Sequence, residues 1–279
     1  CALFKKRIVA HQYGANYCQL LDSLGIIGRK NLAKMWGYVS CIIVEGQHMK
    51  NQFSFLTDFE EKVRIIPNGL PSVGRNALTV KKYTGESPFK LFYLSNLIWS
   101  KGFYDVLEAV DLLVNKYKRN ISCTFAGAFM TAIDDASPCI SNKDGFDRYV
   151  KVHRLEDNVT YFPGLYGEQK DEFFSQANVF LLPTYYINEG QPVSIIEAMA
   201  YGCVPIVTYF RHIPMMVTNE NGCFVKPRSP EQIAETIQKL MDKPDEYSAK
   251  SFLCIKDYKD KFTFNKYASE VMKCMMNVK

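Results

Sequence analysis

The segment VFLLPTYYINEGQPVSIIEAMAYGCVPIV, residues 179–207, decides the fold because it changes pattern three times. Val179–Leu182 and Val204–Val207 are short apolar runs, typical of β-strands that are buried on both faces of a parallel sheet. Between them, Thr184–Gly190 predicts a loop and Val193–Tyr201 predicts a helix. The segment therefore predicts a strand, a loop, a helix and a second strand, the unit from which parallel sheets are built.

The same alternation of apolar runs and helical patterns continues on the N-terminal side of this segment. It predicts three more strands and three more helices, and so an α/β fold whose parallel sheet is covered on both faces. The strands are Lys90–Leu94, Ile121–Ala126 and Val159–Phe162, and the helices are Lys101–Tyr117, Lys143–Arg154 and Glu168–Gln176.

The two ends of the chain show shorter patterns of the same kinds. Near the N-terminus the strands Arg7–Ala10 and Val39–Val44 flank a helix around Lys30–Trp36, and VRIIPNGLP (63–71) places a strand before the turn Pro67-Asn68-Gly69. This turn chemistry predicts an interdomain hinge. Beyond residue 229 the pattern is helical, over Pro230–Met241, Asp245–Tyr258 and Asn265–Met276.

Composition and charge exclude several classes of protein. A net charge of +5 over 279 residues is too diffuse to indicate nucleic-acid binding. The nine cysteines are odd in number and show no C-x-x-C spacing, which favours a reducing compartment over a disulfide framework or a zinc site. No apolar run reaches the roughly 18–20 residues of a membrane span. Because the chain begins at Cys1, close to a strand, we expect it to start in mid-domain, as a fragment does.

Two glutamates stand out, because they carry the charges of an otherwise apolar stretch. Glu189 lies in the loop beside Gly190, and Glu197 follows eight positions later, five residues after Pro192. Pro192 is expected at the first position of the helix, where proline is well tolerated. Five residues span about 7.5 Å of helix, comparable to the step from a diphosphate to a ribose. One carboxylate can therefore serve the group attached to a diphosphate and the other the ribose hydroxyls. The alternative is that Glu197 pairs with a lysine and Glu189 is solvated.

The stretch EGQPVSIIEAMAYGCVPIV (189–207) resembles the E-x7-E signature of the family-four retaining glycosyltransferases, which have the GT-B fold. LFYLSNLIWSKGFYDVLEA (91–109) and NVTYFPGLYGEQKDEFFSQANVFLLPT (158–184) are similar to two further segments of that family. The resemblance implies a Rossmann-like, doubly wound C-terminal domain and a partial, Rossmann-like N-terminal domain. It also implies domains at 1–66 on the acceptor side and 67–260 on the nucleotide-sugar side, with a C-terminal helix, 261–279, that can pack back on the first.

The activity that the resemblance implies is retaining transfer of a sugar from a nucleotide-diphosphate sugar, such as a UDP- or GDP-sugar, to an acceptor hydroxyl. No cofactor and no metal are expected, since the acidic pairs Asp134-Asp135 and DGFD (144–147) have no ligand cluster around them. The acceptor would be a glycan or a lipid-linked molecule of surface polysaccharide synthesis. We expect a cytoplasmic location, with peripheral contact of Lys5, Lys6 and Arg7 to the inner membrane face as one option. The rivals are a non-catalytic nucleotide-sugar-binding subunit and a nucleotide-sugar epimerase on the same fold.

The resemblance also assigns residues to roles. Lys101 becomes the diphosphate-binding lysine, and Asn96 replaces an arginine that the family often carries five residues earlier. His11 is assigned to the transferred sugar, with a structural histidine as the alternative. The catalytic assignment is thus Glu189, Lys101 and His11, and the donor-binding assignment is Asn96, Gly164, Leu165, Glu189, Gly190, Gln191, Pro192, Val193 and Glu197.

Overall fold

A computed structural model of the chain describes residues 7–14, 16–130 and 140–277. The strands, in chain order, are β1 (Val9–Gln12), β2 (Cys41–Val44), β3 (Val63–Ile65), β4 (Phe89–Leu94), β5 (Ile121–Ala126), β6 (Val159–Phe162), β7 (Val179–Leu182), β8 (Val204–Thr208) and β9 (Cys223–Val225). The helices are α1 (Tyr17–Ser23), α2 (Ile26–Gly37), α3 (Gln47–Asn51), α4 (Phe59–Lys62), α5 (Phe103–Asp111), α6 (Lys143–Val152), α7 (Gly167–Gln176), α8 (Val193–Ala200), α9 (Pro230–Asp242), α10 (Pro244–Lys261) and α11 (Phe264–Asn277).

The chain forms two compact units. The first unit comprises the described residues up to Pro71, the loop Ile187–Pro192 and the chain from Lys261 onward. The second unit comprises Ser72–Tyr186 and Val193–Asp260. The domain boundaries inferred from the sequence stay a prediction.

The first unit is built on a three-stranded parallel sheet in the order β1-β2-β3. Side chains of the central strand β2 alternate between two faces, as a strand requires. Ile42 and Val44 pack into a cluster with Phe53. Cys41 and Ile43 face the other way, where side chains of α11 cover them: Tyr267, Val271 and Cys274. Each face of β2 is therefore buried by helices or turns of the same unit.

The second unit is built on a six-stranded parallel sheet in the order β6-β5-β4-β7-β8-β9. Leu91 of β4 lies opposite Cys123 of β5 on one side and opposite Val179 of β7 on the other. The chain therefore builds the sheet outward in one direction from β4 to β6 and then in the other from β7 to β9. This reversal between β4 and β7 is the topological switch point of a doubly wound α/β sheet, and it confirms the predicted fold class.

Strand positions in the second unit agree with the sequence pattern, whereas several element ends differ. The predicted helix from Lys101 to Tyr117 begins only at Phe103, because Gly102 adopts φ +77° and separates a 3-10 turn from α5. Its last turn is π-helical, over Leu112–Lys116. In the first unit β1 lies at Val9–Gln12, two residues later than predicted. Another correction concerns Pro192, which precedes the helix instead of opening it.

Candidate functional site

Lys101 ends a 3-10 turn, Trp99–Lys101, in the loop that follows β4. A Cβ on the next residue, Gly102, would lie 2.6 Å from the carbonyl oxygen of Pro183, the residue after β7. This close approach joins the loops after β4 and β7 at the switch point of the sheet. The Nζ of Lys101 lies 5.2 Å from the ring centroid of Tyr186, farther along the same loop as Pro183. A lysine is thus held at the sheet edge where ligands of open α/β sheets bind.

Asn96 lies exposed at the start of the loop after β4. Its carbonyl oxygen accepts hydrogen bonds from the Ile98 N–H at 2.9 Å and the Tyr93 hydroxyl at 3.3 Å, so its backbone is fixed. The amide side chain can donate hydrogen bonds to an anion but brings no charge. Positive charge in the loop between Leu94 and Gly102 therefore comes from Lys101.

Glu197 lies in α8, where its Oε1 is 2.5 Å from the Nζ of Lys170 in α7. Both side chains are largely shielded from water, with 17% and 26% of their surface exposed for Glu197 and Lys170. The structure therefore contains the ion pair that the alternative expected, between Glu197 and a lysine. A carboxylate has two oxygens and about four acceptor positions, so this pair leaves room for ligand hydroxyls.

The loop after β6 carries Gly164 and Leu165 to the same sheet edge. Leu165 is buried, and a Cβ on Gly164 would lie 2.9 Å from the ring of Tyr166. That ring is 83% exposed, a large unpacked surface for an aromatic side chain. Exposed aromatic rings can stack on the flat face of a base. Sequence reasoning did not single out Tyr166, although its place directly after Gly164-Leu165 was a usable signal.

Asp105, in the first turn of α5, is a buried carboxylate that sequence reasoning also missed. Its Oδ2 accepts a hydrogen bond from the Arg228 N–H at 3.1 Å. The guanidinium of Arg228 lies 5.0 Å from the ring centroid of Tyr185, which follows β7. Burial raises the pKa of the Asp105 carboxyl to about 6. A titratable group therefore stands within four residues of Lys101.

In the first unit, His11 lies in β1 with its ring stacked on Tyr13 at a centroid distance of 4.0 Å. Its Nδ1 lies 3.2 Å from the hydroxyl oxygen of Tyr267. Burial lowers the pKa of the His11 imidazole, so the ring is neutral at pH 7. Its Nε2 is buried and has no hydrogen-bond partner in the part of the chain that the structure describes. The ring thus has one hydrogen-bonding position, at a buried atom, that no described residue uses.

The loop Ile187–Pro192, which belongs to the first unit, holds the first glutamate of the signature. Glu189 is 5% exposed, so it is not the solvated side chain that the alternative expected. The neighbouring Gln191 is also buried: its backbone N–H donates to Glu45 at 3.3 Å, and its Oε1 accepts from the Asn68 N–H at 2.6 Å. Glu45 was missed, although an acidic residue directly after the apolar run CIIV (41–44) was a signal for it.

The assigned residues fall into the two units as follows. The first unit holds His11, Glu189, Gly190, Gln191 and Pro192, and the second holds Asn96, Lys101, Gly164, Leu165, Val193 and Glu197. Val193 is the exposed first residue of α8, where backbone N–H groups lack intrahelical partners. These N–H groups can receive an anion.

The second unit contains an open cavity of about 510 Å³ that none of the assigned residues lines. It is lined by Ser72, Val73, Gly74, Arg75, Asn76, Glu168, Asp171, Glu172 and Tyr201. Its walls include a hydrogen bond from the Gly74 N–H to the Tyr201 hydroxyl, 2.7 Å long. Because none of the assigned residues lines it, the cavity is not evidence for the donor site.

Other sequence-based candidates have ordinary surroundings or are not described. Among residues 7–14, 16–130 and 140–277, no three histidine, cysteine or acidic side chains come together as a metal would need. Asp147 pairs with Lys143 along α6. Cys1, Lys5, Lys6 and the pair Asp134-Asp135 lie outside the described residues. In the same loop as Lys101, Trp99 stacks on Tyr104 at a centroid distance of 4.6 Å, a contact that packs the loop against α5. Of the helices in the described ranges, none has both the length and the apolar character needed to span a membrane.

The sequence is similar to curated glycosyltransferases of other organisms. It is 25% identical over 172 residues to an uncharacterized glycosyltransferase of Haemophilus influenzae, a match over 59% of this chain and 44% of the relative. It is 24% identical over 191 residues to the capsular polysaccharide biosynthesis glycosyltransferase CapH of Staphylococcus aureus, a match over 66% of this chain and 47% of the relative. The chain thus matches less than half the length of these curated relatives.

Solved structures share the fold. The crystal structure of Anabaena Alr3699/HepE in complex with UDP and glucose superposes with a TM-score of 0.72 at 13% identity, over 99% of this chain and 73% of that one. The GT-B architecture predicted from the sequence is therefore confirmed. The model of the family described as "Glycosyl transferases group 1" matches residues 76–251, which is more than half of the 279 residues. This chain belongs to the glycosyl transferases group 1 family.

Proposed function

We propose that the chain carries the donor site of a retaining glycosyltransferase, which moves a sugar from a nucleotide-diphosphate sugar to an acceptor hydroxyl. The observation that carries the proposal is the position of Lys101 at the switch point of the sheet, together with the E-x7-E spacing that leads into α8. Lys101 and the start of α8 both lie in the second unit, at the carboxyl ends of its strands, where open α/β sheets bind ligands.

The diphosphate is the group that gains negative charge as the bond to the sugar breaks. Lys101 and the N–H groups at the start of α8, near Val193, supply positive charge for it, and Asn96 adds a neutral donor. Glu197 accepts hydrogen bonds from the ribose hydroxyls, with Lys170 holding its other acceptor positions. Gly164 and Leu165 lie under the base, beside the exposed ring of Tyr166.

Glu189 and His11 bind the transferred sugar. The carboxylate of Glu189 binds sugar hydroxyls and supports positive charge at the anomeric carbon, while the neutral His11 offers its Nε2 for a hydrogen bond. We assign no protein nucleophile: the paired carboxylates of retaining glycosidases stand about 5–5.5 Å apart across one bond, whereas here the second glutamate serves the ribose. The leaving phosphate would accept the proton of the acceptor on the same face. No metal and no cofactor take part.

The acceptor is proposed to be a glycan or a lipid-linked molecule of surface polysaccharide synthesis. The name of the relative CapH, a capsular polysaccharide biosynthesis glycosyltransferase, supports this class of product. We place the reaction in the cytoplasm, with peripheral contact to the inner membrane face as an option, because unpaired cysteines fit a reducing compartment.

The decisive test is a calorimetric titration of the 279-residue chain with UDP, GDP and ADP. We expect one nucleotide to bind, and Lys101→Ala and Glu197→Ala each to weaken it by about 10- to 100-fold, because a hydrogen bond to a charged group contributes roughly 1.5–3 kcal/mol. The anomeric configuration of the first sugar product, read by NMR, tests retention.

Two matched variants control for loss of charge elsewhere. Lys116→Ala removes a lysine that, like Lys101, lies over a tyrosine ring: its Nζ is 5.1 Å from the ring centroid of Tyr117. Asp147→Ala breaks the ion pair with Lys143 on α6. Neither should change nucleotide affinity. A folded chain that binds none of the three nucleotides would contradict the proposed donor site. Nucleotide binding without sugar transfer would favour the rival, a non-catalytic nucleotide-sugar-binding subunit.

A further inference from the structure

Three residues of the first unit, Glu45, Asn68 and Gln191, form a closed ring of hydrogen bonds. The Asn68 Nδ2 donates to Glu45 Oε1 at 2.6 Å, and the Asn68 backbone N–H donates to Gln191 Oε1 at 2.6 Å. The Gln191 backbone N–H closes the ring by donating to Glu45 Oε2 at 3.3 Å. Both carboxylate oxygens of Glu45 are thus used, one for each neighbour.

The sheet explains why these residues meet. Glu45 follows β2 and Asn68 comes shortly after β3, and the Ile66 N–H donates to the Val44 carbonyl at 2.9 Å, so the two strands stay paired up to their carboxyl ends. Glu45 and Asn68 therefore emerge side by side at one sheet edge. Gln191 joins them from 123 positions farther along the chain than Asn68.

Gly190 lets the loop approach the carboxylate closely. A Cβ on Gly190 would lie 3.2 Å from Glu45 Oε2, tighter than ordinary van der Waals contact. Glu45 itself is 4% exposed. Burial raises the pKa of its carboxyl, while the donors Asn68 and Gln191 act in the opposite direction. Because a buried carboxylate without hydrogen bonds costs free energy, Glu45 needs these hydrogen-bond partners.

We propose that Glu45 is a positioning residue for the donor's sugar: through the ring with Asn68 and Gln191 it fixes the backbone of Glu189 and Gly190. Two acceptor oxygens on one rigid carboxylate suit two N–H donors, a pairing that a glutamine cannot reproduce because one of its oxygens becomes an NH₂. This inference rests on the proposed function, since it assumes that the Glu189 loop binds the sugar. It adds a residue that lies 144 positions before the signature.

The test compares wild type with Glu45→Gln in two measurements. In hydrogen exchange, the Gln191 amide should exchange at least ten-fold faster in the variant, while the amides of β2 keep their protection. In calorimetry, UDP-glucose, UDP-N-acetylglucosamine, GDP-mannose and ADP-glucose are titrated beside the matching free nucleotides. For the donor that wild type binds, the ratio of the donor's Kd to that of the free nucleotide should rise ten-fold or more, with nucleotide affinity changed less than two-fold.

Two further variants separate positioning from stability. Asn68→Ala removes one donor of the ring and should raise the same ratio by a smaller factor; it also serves if Glu45→Gln does not fold. Gln52→Ala removes another buried acceptor of the first unit, whose Oε1 accepts from the Cys18 N–H at 3.2 Å, and should leave the ratio unchanged.

The outcomes discriminate between the two proposals. Faster exchange at Gln191 without a change in the ratio overturns the positioning role, as does unchanged exchange. Wild type that binds no nucleotide overturns the proposed function, and the inference falls with it, although the exchange result still reports on the ring. If wild type binds a nucleotide but none of the four nucleotide sugars, both the proposed class of donor, a nucleotide-diphosphate sugar, and the positioning role of Glu45 are contradicted.

Discussion

Gly127, the residue after β5, sits where no other side chain fits. Its φ is +146°, and a Cβ there would lie 1.9 Å from the carbonyl oxygen of Ser95, at the start of the loop that leads to Lys101. Gly127→Ala must therefore strain the backbone and displace that loop. Backbone strain alone costs about 1–3 kcal/mol. We expect a loss of at least that size in the free energy of unfolding, measured in urea, and weaker nucleotide binding.

Gly85→Ala provides the matched control for this substitution. Gly85 also has a positive φ, +83°, but an added Cβ would meet no atom within 4 Å. It should lose about 1 kcal/mol from strain and leave nucleotide affinity unchanged. Equal effects of the two alanines would mean that the contact with Ser95 does not matter. The sequence could not distinguish these two glycines, because the difference lies in which loop passes close by.

At the scale of elements, Asp105 makes the stability of the helix α5 depend on pH. Its pKa is raised by burial from 3.8 to about 6, so folding disfavours its charged form. Such a group contributes stability that is fully present below the unfolded pKa and lost as pH rises through about 6. Asp105→Asn keeps an acceptor for the Arg228 N–H but removes the charge. We expect the free energy of unfolding, measured in urea, to rise in the variant relative to wild type, and this rise to be about 1 kcal/mol larger at pH 8 than at pH 5.

Asp245→Asn is the control, because Asp245 also lies in the first turn of a helix, α10, but is exposed. If burial causes the effect, this variant shows no comparable difference between pH 5 and pH 8. If Asp105→Asn raised the free energy of unfolding equally at both pH values, the buried charge of Asp105 would not be the cause of the pH dependence.

The elements also show which parts of the fold could be read from the sequence. Val179–Leu182 and Ile121–Ala126 lie where predicted, since buried parallel strands are continuous apolar runs with few other interpretations. Element ends were less accurate. Lys101 and Gly102 have helix-compatible neighbours, and the left-handed backbone of Gly102, with φ +77°, moves the start of α5 to Phe103.

At the scale of the whole molecule, the signature that identified the family is divided between two units. Glu189 belongs to the first unit and Glu197 to the second, although eight positions separate them. The spacing of the two glutamates could be interpreted from the sequence because it is local. The ring of Glu45, Asn68 and Gln191 could not, because it depends on which strands are neighbours and on a contact across 146 positions.

The first unit has hydrophobic clusters made only of its own residues, which predicts that it can lose stability by itself. Phe53 is fully buried there, with ring centroids 5.1 Å from Tyr17 and 5.0 Å from Trp36. Phe53→Ala should cost about 3–5 kcal/mol in that cluster. Measured by hydrogen exchange, the amides of β2 should lose protection while those of β5 keep it.

The reciprocal variant is Phe125→Ala in the second unit, where Phe125 is equally buried and packs with Tyr93 and Phe146. It should lower the protection of β5 and leave β2 unchanged. Nucleotide affinity, which we assign to Lys101 and Glu197, should then fall with Phe125→Ala and survive Phe53→Ala. If each substitution lowers protection in both sheets by the same free energy, the units unfold as one cooperative body, and the residues of the signature share a single stability.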